Sequence, residues 1–154
     1  MSEKWNPELP LDIQRDFVKE KEQAFTLYLD FIVDGTASMY TVFPAVYYAA
    51  AHFLDCLSKY EVYPMVGLTI IRNEKAGEET ECVSFENEHY FTEEISLFLK
   101  KLKGIPLYGG GEDGKESVHT AIKKSLHKFP MTGRNRAVFV FTDAYGSNHY
   151  AEYV

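Results

Sequence analysis

Two cysteines, Cys56 and Cys82, are all that this 154-residue chain carries. They stand far apart in apolar settings, so neither a disulfide framework nor metal-ligand spacing is suggested. Buried free thiols in a reducing compartment are the expectation. Basic residues are also in deficit, with 16 Lys and Arg against 23 Asp and Glu and a formal net charge of -7. That balance argues against nucleic acid or an anionic membrane surface as the main partner. An excess of carboxylates suits cation binding, although its common role is solubility. No apolar run reaches the roughly 18 residues of a membrane span, and the polar opening MSEKWNPELP has no apolar signal core. A cytoplasmic protein without a membrane partner is expected. Repeats, low-complexity tracts and linkers are absent from the sequence as well.

What the chain does have is a hydrophobic content of 45% with 25% charged residues, the balance of a globular domain with a sizeable core. The pattern is organised around Phe25 to Met39, FTLYLDFIVDGTASM. An apolar run over Leu27 to Val33 stops at Asp34, as in a strand buried on both faces. Gly35 loosens the turn that follows, and Thr36 and Ser38 place hydroxyls at alternate positions beyond the carboxylate. Open α/β sheets keep ligand sites at the carboxyl ends of their strands, so this loop is expected to hold a hard divalent cation.

Residues 1–24 read as a leader with a weakly amphipathic helix over Leu11 to Ala24, and residues 25–154 as the main domain. After the first strand, about Phe25 to Val33, a helix is predicted from about Val42 to Lys59, with Pro44 in its first turn. Its bulky residues surround nearly the whole circumference, which predicts burial on more than one side. Tyr63 to Arg72 is the second strand. A short turn leads to a third over Thr80 to Phe85, too close for a crossover helix and therefore antiparallel. Its acidic flanks suit a sheet edge. Thr92 is read as the cap of a helix carrying Ile95, Phe98, Leu99 and Leu102. The glycine-dense loop Gly104 to Gly114, a helix over Lys115 to Lys128 and an apolar strand over Arg136 to Thr142 complete the chain. The order α-β-α-β-β-α-α-β predicts a Rossmann-like three-layer α/β/α fold with a mostly parallel sheet and one antiparallel edge strand. Asp30, an ionisable group within a central strand, needs a partner, and Arg136 is the candidate.

Three loops therefore carry oxygen ligands: Asp34 with Thr36 and Ser38, the glycine loop with Asp113, and Thr142 with Asp143. Magnesium takes octahedral oxygen coordination with one or two carboxylates and retained waters. Turn and capping chemistry favours the same residue types, so each loop alone is weak and the three in order are stronger. The glycines do not form a P-loop, because no Lys-Ser/Thr follows. The five histidines are scattered and read as surface or core residues rather than ligands.

With Asp34, Thr36 and Ser38 in the pattern Asp-x-Thr-x-Ser, and Phe141-Thr142-Asp143 closing a later strand, the chain resembles the von Willebrand factor A domain family. The resemblance runs from about Phe25 to Asn148. It implies a metal-ion-dependent adhesion site in which Asp34, Thr36, Ser38, Asp113 and Asp143 hold Mg²⁺, with Mn²⁺ or Ca²⁺ as substitutes. It further implies a protein-binding role, with an Asp or Glu of the partner filling the open coordination position. The second loop departs from the family's threonine, with Glu112 as a rival to Asp113. The family continues for further strands after its third loop, so a longer product, a partner completing the sheet or a minimal variant of the fold is expected. The enzymatic alternative, a haloacid-dehalogenase-type phosphatase suggested by Asp-Gly-Thr, lacks its nucleophile because Ile32 occupies that position. A scaffold of the same fold without metal is the third reading.

Overall fold

The structure, a computed structural model, describes residues 8, 10–16, 26–110, 115–131 and 135–143. Residues 11–16 are helical; the remainder of the helix expected to Ala24 lies outside the described residues. Five strands follow in chain order: β1 (Leu27–Asp34), β2 (Met65–Ile71), β3 (Glu81–Cys82), β4 (Phe91–Thr92) and β5 (Asn135–Phe141). The helices are α1 (Phe43–Lys59), α2 (Ile95–Lys103) and α3 (Lys115–Lys128).

The apolar runs become the middle of one sheet, in the order β3-β2-β1-β5. β1 is parallel to β2 on one side and to β5 on the other. A buried parallel strand needs apolar residues on both faces, and the runs in β1 and β2 supply them. Successive side chains then divide between two layers. Leu29, Phe31, Val33, Val66, Leu68 and Ile70 pack with Val46, Ala50 and Leu54 of α1 and with Phe98 and Leu102 of α2. Ile32 and Ile71 pack on the opposite face with Val118 and Ala121 of α3. The architecture is a mixed α/β domain with helices on both faces of a mostly parallel sheet.

The expected antiparallel edge is present but broken in two. β3 pairs with Thr69 and Ile70, whereas β4 pairs with Val66 and Gly67 farther along the same side of β2. Between them the chain detours through a 3-10 turn over Glu86–Glu88, with Asn87 and Glu88 at φ of 54° and 61°. The strand expected over Thr80 to Phe85 is thus shortened. Thr92 belongs to β4 rather than capping α2, where Glu94 holds the cap position; the Thr92 hydroxyl accepts the Glu94 N–H at 3.1 Å.

Helix α1 corrects a second expectation. Only Val46, Ala50 and Leu54 are buried, a single stripe at four-residue spacing. Phe43, Tyr47, Phe53 and Leu57 are half-buried against the same cluster, and Tyr48 is 75% exposed. The helix packs on one face and leaves the other to solvent.

Asp30 is fully buried, and its partner is Lys128 of α3 at 2.7 Å. Thr69 donates to the same carboxylate at 2.8 Å, and the Ser125 hydroxyl completes its shell. Arg136 does not reach it. The sheet register sets Val138 beside Asp30 and Arg136 beside Tyr28, two residues back along the strand. Arg136 donates instead to the Pro130 carbonyl at 2.6 Å.

Candidate functional site

At the carboxyl end of β1 the chain turns away from the sheet, and three loops approach one another there. Asp34 is only 2% exposed. Its Oδ1 accepts the Thr36 N–H at 2.9 Å and the Thr36 hydroxyl at 2.6 Å. This is the local turn that an aspartate makes with a residue two positions on. Thr36 Oγ1 and Ser38 Oγ are 3.1 Å apart. Because the Thr36 proton is directed at Asp34, Ser38 donates in this contact. The chain then runs into a 3-10 turn over Ala37–Thr41, in which Met39 is buried beneath the loop.

The third loop joins through Thr142, whose hydroxyl donates to Asp34 Oδ2 at 2.7 Å. The pairing of β1 with β5 makes this contact possible, since it sets Val33 beside Phe141. Asp143 itself is exposed. Of the two oxygen ligands expected on this loop, Thr142 and Asp143, Thr142 is the one that reaches the buried carboxylate.

The glycine loop meets the first loop through its backbone. Tyr108 N–H donates to the Gly35 carbonyl and Ala37 N–H donates to the Gly109 carbonyl, each at 3.1 Å. Gly109 and Gly110 take φ of 68° and 102°, a region open to glycine and strained for other residues. Asp113 and its rival Glu112 lie outside the described residues.

Arg72, which sequence reading passed over, ties these pieces together. It follows β2 directly and is 2% exposed. Its Nη1 donates to the carbonyls of Gly35 at 2.6 Å and Pro106 at 2.8 Å. Its guanidinium lies 4.1 Å from the centre of the Tyr108 ring. The backbone at Gly35 has no room for a side chain: a Cβ there would sit 2.5 Å from Arg72 Nη1 and 2.6 Å from Ile70 Cγ2. Gly35→Ala is therefore expected to destabilise by about 1–3 kcal/mol, the usual cost of overpacking a closed site. Urea unfolding monitored by circular dichroism checks this; a variant as stable as the parent means the guanidinium moves aside freely.

The gathered donors are one buried carboxylate and the hydroxyls of Thr36, Ser38 and Thr142. All are hard oxygens, the ligand chemistry of Mg²⁺ rather than of zinc. Among the described residues, no three His, Cys, Asp or Glu side chains gather to hold a metal ion. The donor set therefore fits a hard cation only if hydroxyls and waters make up most of the coordination. Two cavities, of about 530 and 390 Å³, lie away from these loops along the β3 and β4 edge, and share Tyr90 in their linings. In the larger one Lys124 bridges Glu74 at 3.5 Å and Glu79 at 3.2 Å, so its charge is already paired. No helix among the described residues is long and apolar enough to cross a membrane.

Comparison with family models found no match, and neither curated proteins nor solved structures gave one.

Proposed function

We propose that this protein is a metal-dependent interaction module, in which the loops after β1 and β5 hold Mg²⁺ and the ion binds an Asp or Glu side chain of a partner protein. One observation carries the reading: Asp34 accepts the hydroxyl protons of Thr36 at 2.6 Å and Thr142 at 2.7 Å, with Ser38 beside Thr36. A carboxylate that takes up hydroxyl protons turns the remaining oxygen lone pairs outward, toward a cation. Thr36 and Ser38 would then ligate directly, Asp34 would orient them, and Asp143 would act from the exposed side; Asp113 completes the proposed set. The bound ion would supply the positive charge that an acidic side chain recognises. The von Willebrand factor A resemblance, the protein partner and the cytoplasmic setting are parts of this proposal.

Titration calorimetry with Mg²⁺ or Mn²⁺ tests it. The parent should bind, and Ser38→Ala and Asp143→Ala should each weaken binding by about tenfold or more, the effect expected when a site of few ligands loses one. Absent binding by the parent, or equal binding by all three proteins, rejects the reading.

A scaffold without metal has an observation in its favour as well. The Asp34 carboxylate is satisfied by three protein hydrogen bonds, so the turn is chemically complete without an ion. The same titration separates the two. For the phosphatase alternative, Ile32 is 0% exposed and packs among Ile71, Val118 and Ala121, so neither its side chain nor its location offers a nucleophile. No turnover of an aryl phosphate is expected.

A further inference from the structure

Arg72 carries a buried charge that forms no ion pair among the described residues. Its guanidinium is buried, bonded through Nη1 to two backbone carbonyls and stacked on Tyr108. Its Nε is buried without any hydrogen-bond partner. Buried guanidinium groups ordinarily face a carboxylate, because an uncompensated charge in a low-dielectric interior is costly. Among the described residues Arg72 forms no ion pair. The ion pairs there join Lys59 to Asp55, Lys124 to Glu74 and Glu79, and Lys128 to Asp30. Glu78, whose carboxylate lies against Gly109, is bonded to the Asn73 N–H instead.

The place of this cation matters. Arg72 grips the carbonyl of Gly35, the residue between Asp34 and Thr36, and the same carbonyl accepts the Tyr108 N–H. A fixed positive charge is thus held against the backbone that presents the proposed ligands. Such a charge repels a divalent cation and attracts an anion, and at short range with partial burial neither effect is screened away.

We infer that Arg72 makes cation binding at this rim depend on a carboxylate arriving with it; the inference rests on the metal-dependent reading above and adds its regulation. Among the described residues, the fully buried charges at the rim are those of Asp34 and Arg72, of opposite sign, with the half-buried Glu78 carboxylate beside Gly109. The hydroxyls are neutral. A divalent ion entering alone therefore brings excess positive charge into a closed site. A carboxylate bound to the ion removes that excess. The two ligands consequently bind together more tightly than either does alone, and the coupling is reciprocal. In the partner's absence the site stays weakly occupied, and the acidic side chain recruits its own metal. Arg72 is a positioning residue here, acting through Gly35 and through its field without touching the ion.

The test is Mn²⁺ binding by the full chain, followed through the free-ion paramagnetic resonance signal, with sodium acetate replacing sodium chloride at constant ionic strength. For the parent, acetate should tighten Mn²⁺ binding by about tenfold, within the usual range of coupling between sites. Arg72→Gln keeps an amide donor for the two carbonyls and removes the charge. It should bind Mn²⁺ alone about tenfold more tightly, the scale of losing one nearby unit charge, and should gain clearly less from acetate than the parent does. Arg72→Lys keeps the charge and should respond to acetate as the parent does. A Gln variant that loses Mn²⁺ affinity, or that responds to acetate as fully as the parent, makes Arg72 a staple and nothing more. Because the parent's own response to acetate is part of the test, a poorly folded variant does not shelter the inference: Mn²⁺ binding by the parent that is indifferent to acetate overturns it alone. No Mn²⁺ binding by the parent under either condition overturns the metal-dependent reading together with it.

Discussion

Lys128→Met should lower stability by about 3–5 kcal/mol, the cost of leaving a buried charge without its counter-ion. Asp30 is 0% exposed and the Lys128 side chain 2% exposed, so solvent cannot take the place of the lost ammonium. That ammonium also donates to the Leu68 carbonyl at 3.2 Å and to Thr69 Oγ1 at 3.0 Å, which spends all three of its protons inside the protein. The carboxylate lies close over the Gly67 backbone, in space that any side chain at that position would take: a Cβ there would stand 2.6 Å from Asp30 Oδ1. The double variant Asp30→Asn with Lys128→Met should recover much of the loss. Asparagine keeps an acceptor for the Thr69 and Ser125 hydroxyls but carries no charge. Arg136→Ala, by contrast, removes an exposed bond to the Pro130 carbonyl and a contact over the Phe129 ring, with no buried charge left behind, and should change stability by less than about 1 kcal/mol. Urea unfolding of the four proteins measures these differences. A Lys128→Met protein within about 1 kcal/mol of the parent contradicts the view that the pair is closed to water.

Phe31→Ala should cost about 3–5 kcal/mol, as removal of a large buried aromatic side chain does. The Phe31 ring is 1% exposed at the middle of β1. It stacks on Phe139 at 5.4 Å and Phe141 at 6.2 Å, and meets Phe98 of α2 at 5.1 Å. Phe139 in turn touches Phe53 of α1 at 5.0 Å, so one ring joins two strands and both helices of that layer. The loss should fall unevenly. β1 and β2 are almost entirely buried, whereas β5 is half-exposed along most of its length, with Val140 40% exposed. Hydrogen exchange should therefore show amides of β5 losing protection before those of β2. Since Thr142 reaches Asp34 only because β5 lies against β1, the same variant should weaken any divalent-ion binding at the rim. Uniform loss of protection across the sheet goes against this account.

The two effects arise from residues whose visibility in the sequence differs. Phe31 sits in an apolar run that announces a central strand, and its burial follows from that. The charge at Asp30 is equally plain as a group in need of a partner, but the partner stands 98 residues away, and nothing in the strand pattern points to it. The strand pattern favours Arg136, which lies on the neighbouring β5. The register moved it two residues out of reach, and α3 brought Lys128 down onto the sheet instead.

The same division holds at the site. Asp34, Thr36 and Ser38 lie within five residues of one another, so their convergence followed from a turn that local geometry forms unaided. Thr142 is 108 residues from Asp34 and Arg72 is 37 from Gly35. Neither contact has a local signature. The split of the edge strand into β3 and β4 was hidden for a related reason. Alternation predicts that residues can lie in a strand, while a two-residue piece of sheet exists only where its neighbour offers free backbone groups.

Composition and apolar periodicity alone were enough to specify a mixed α/β domain, its central strands and the turn chemistry after β1. Those features depend on residues close together in the chain, where side-chain pattern and backbone preference act directly. Folding settled which cation neutralises Asp30, which hydroxyl reaches Asp34 and which guanidinium is pressed against Gly35. Contacts of that kind depend on strand register and helix placement, which the whole core fixes at once and no short segment encodes.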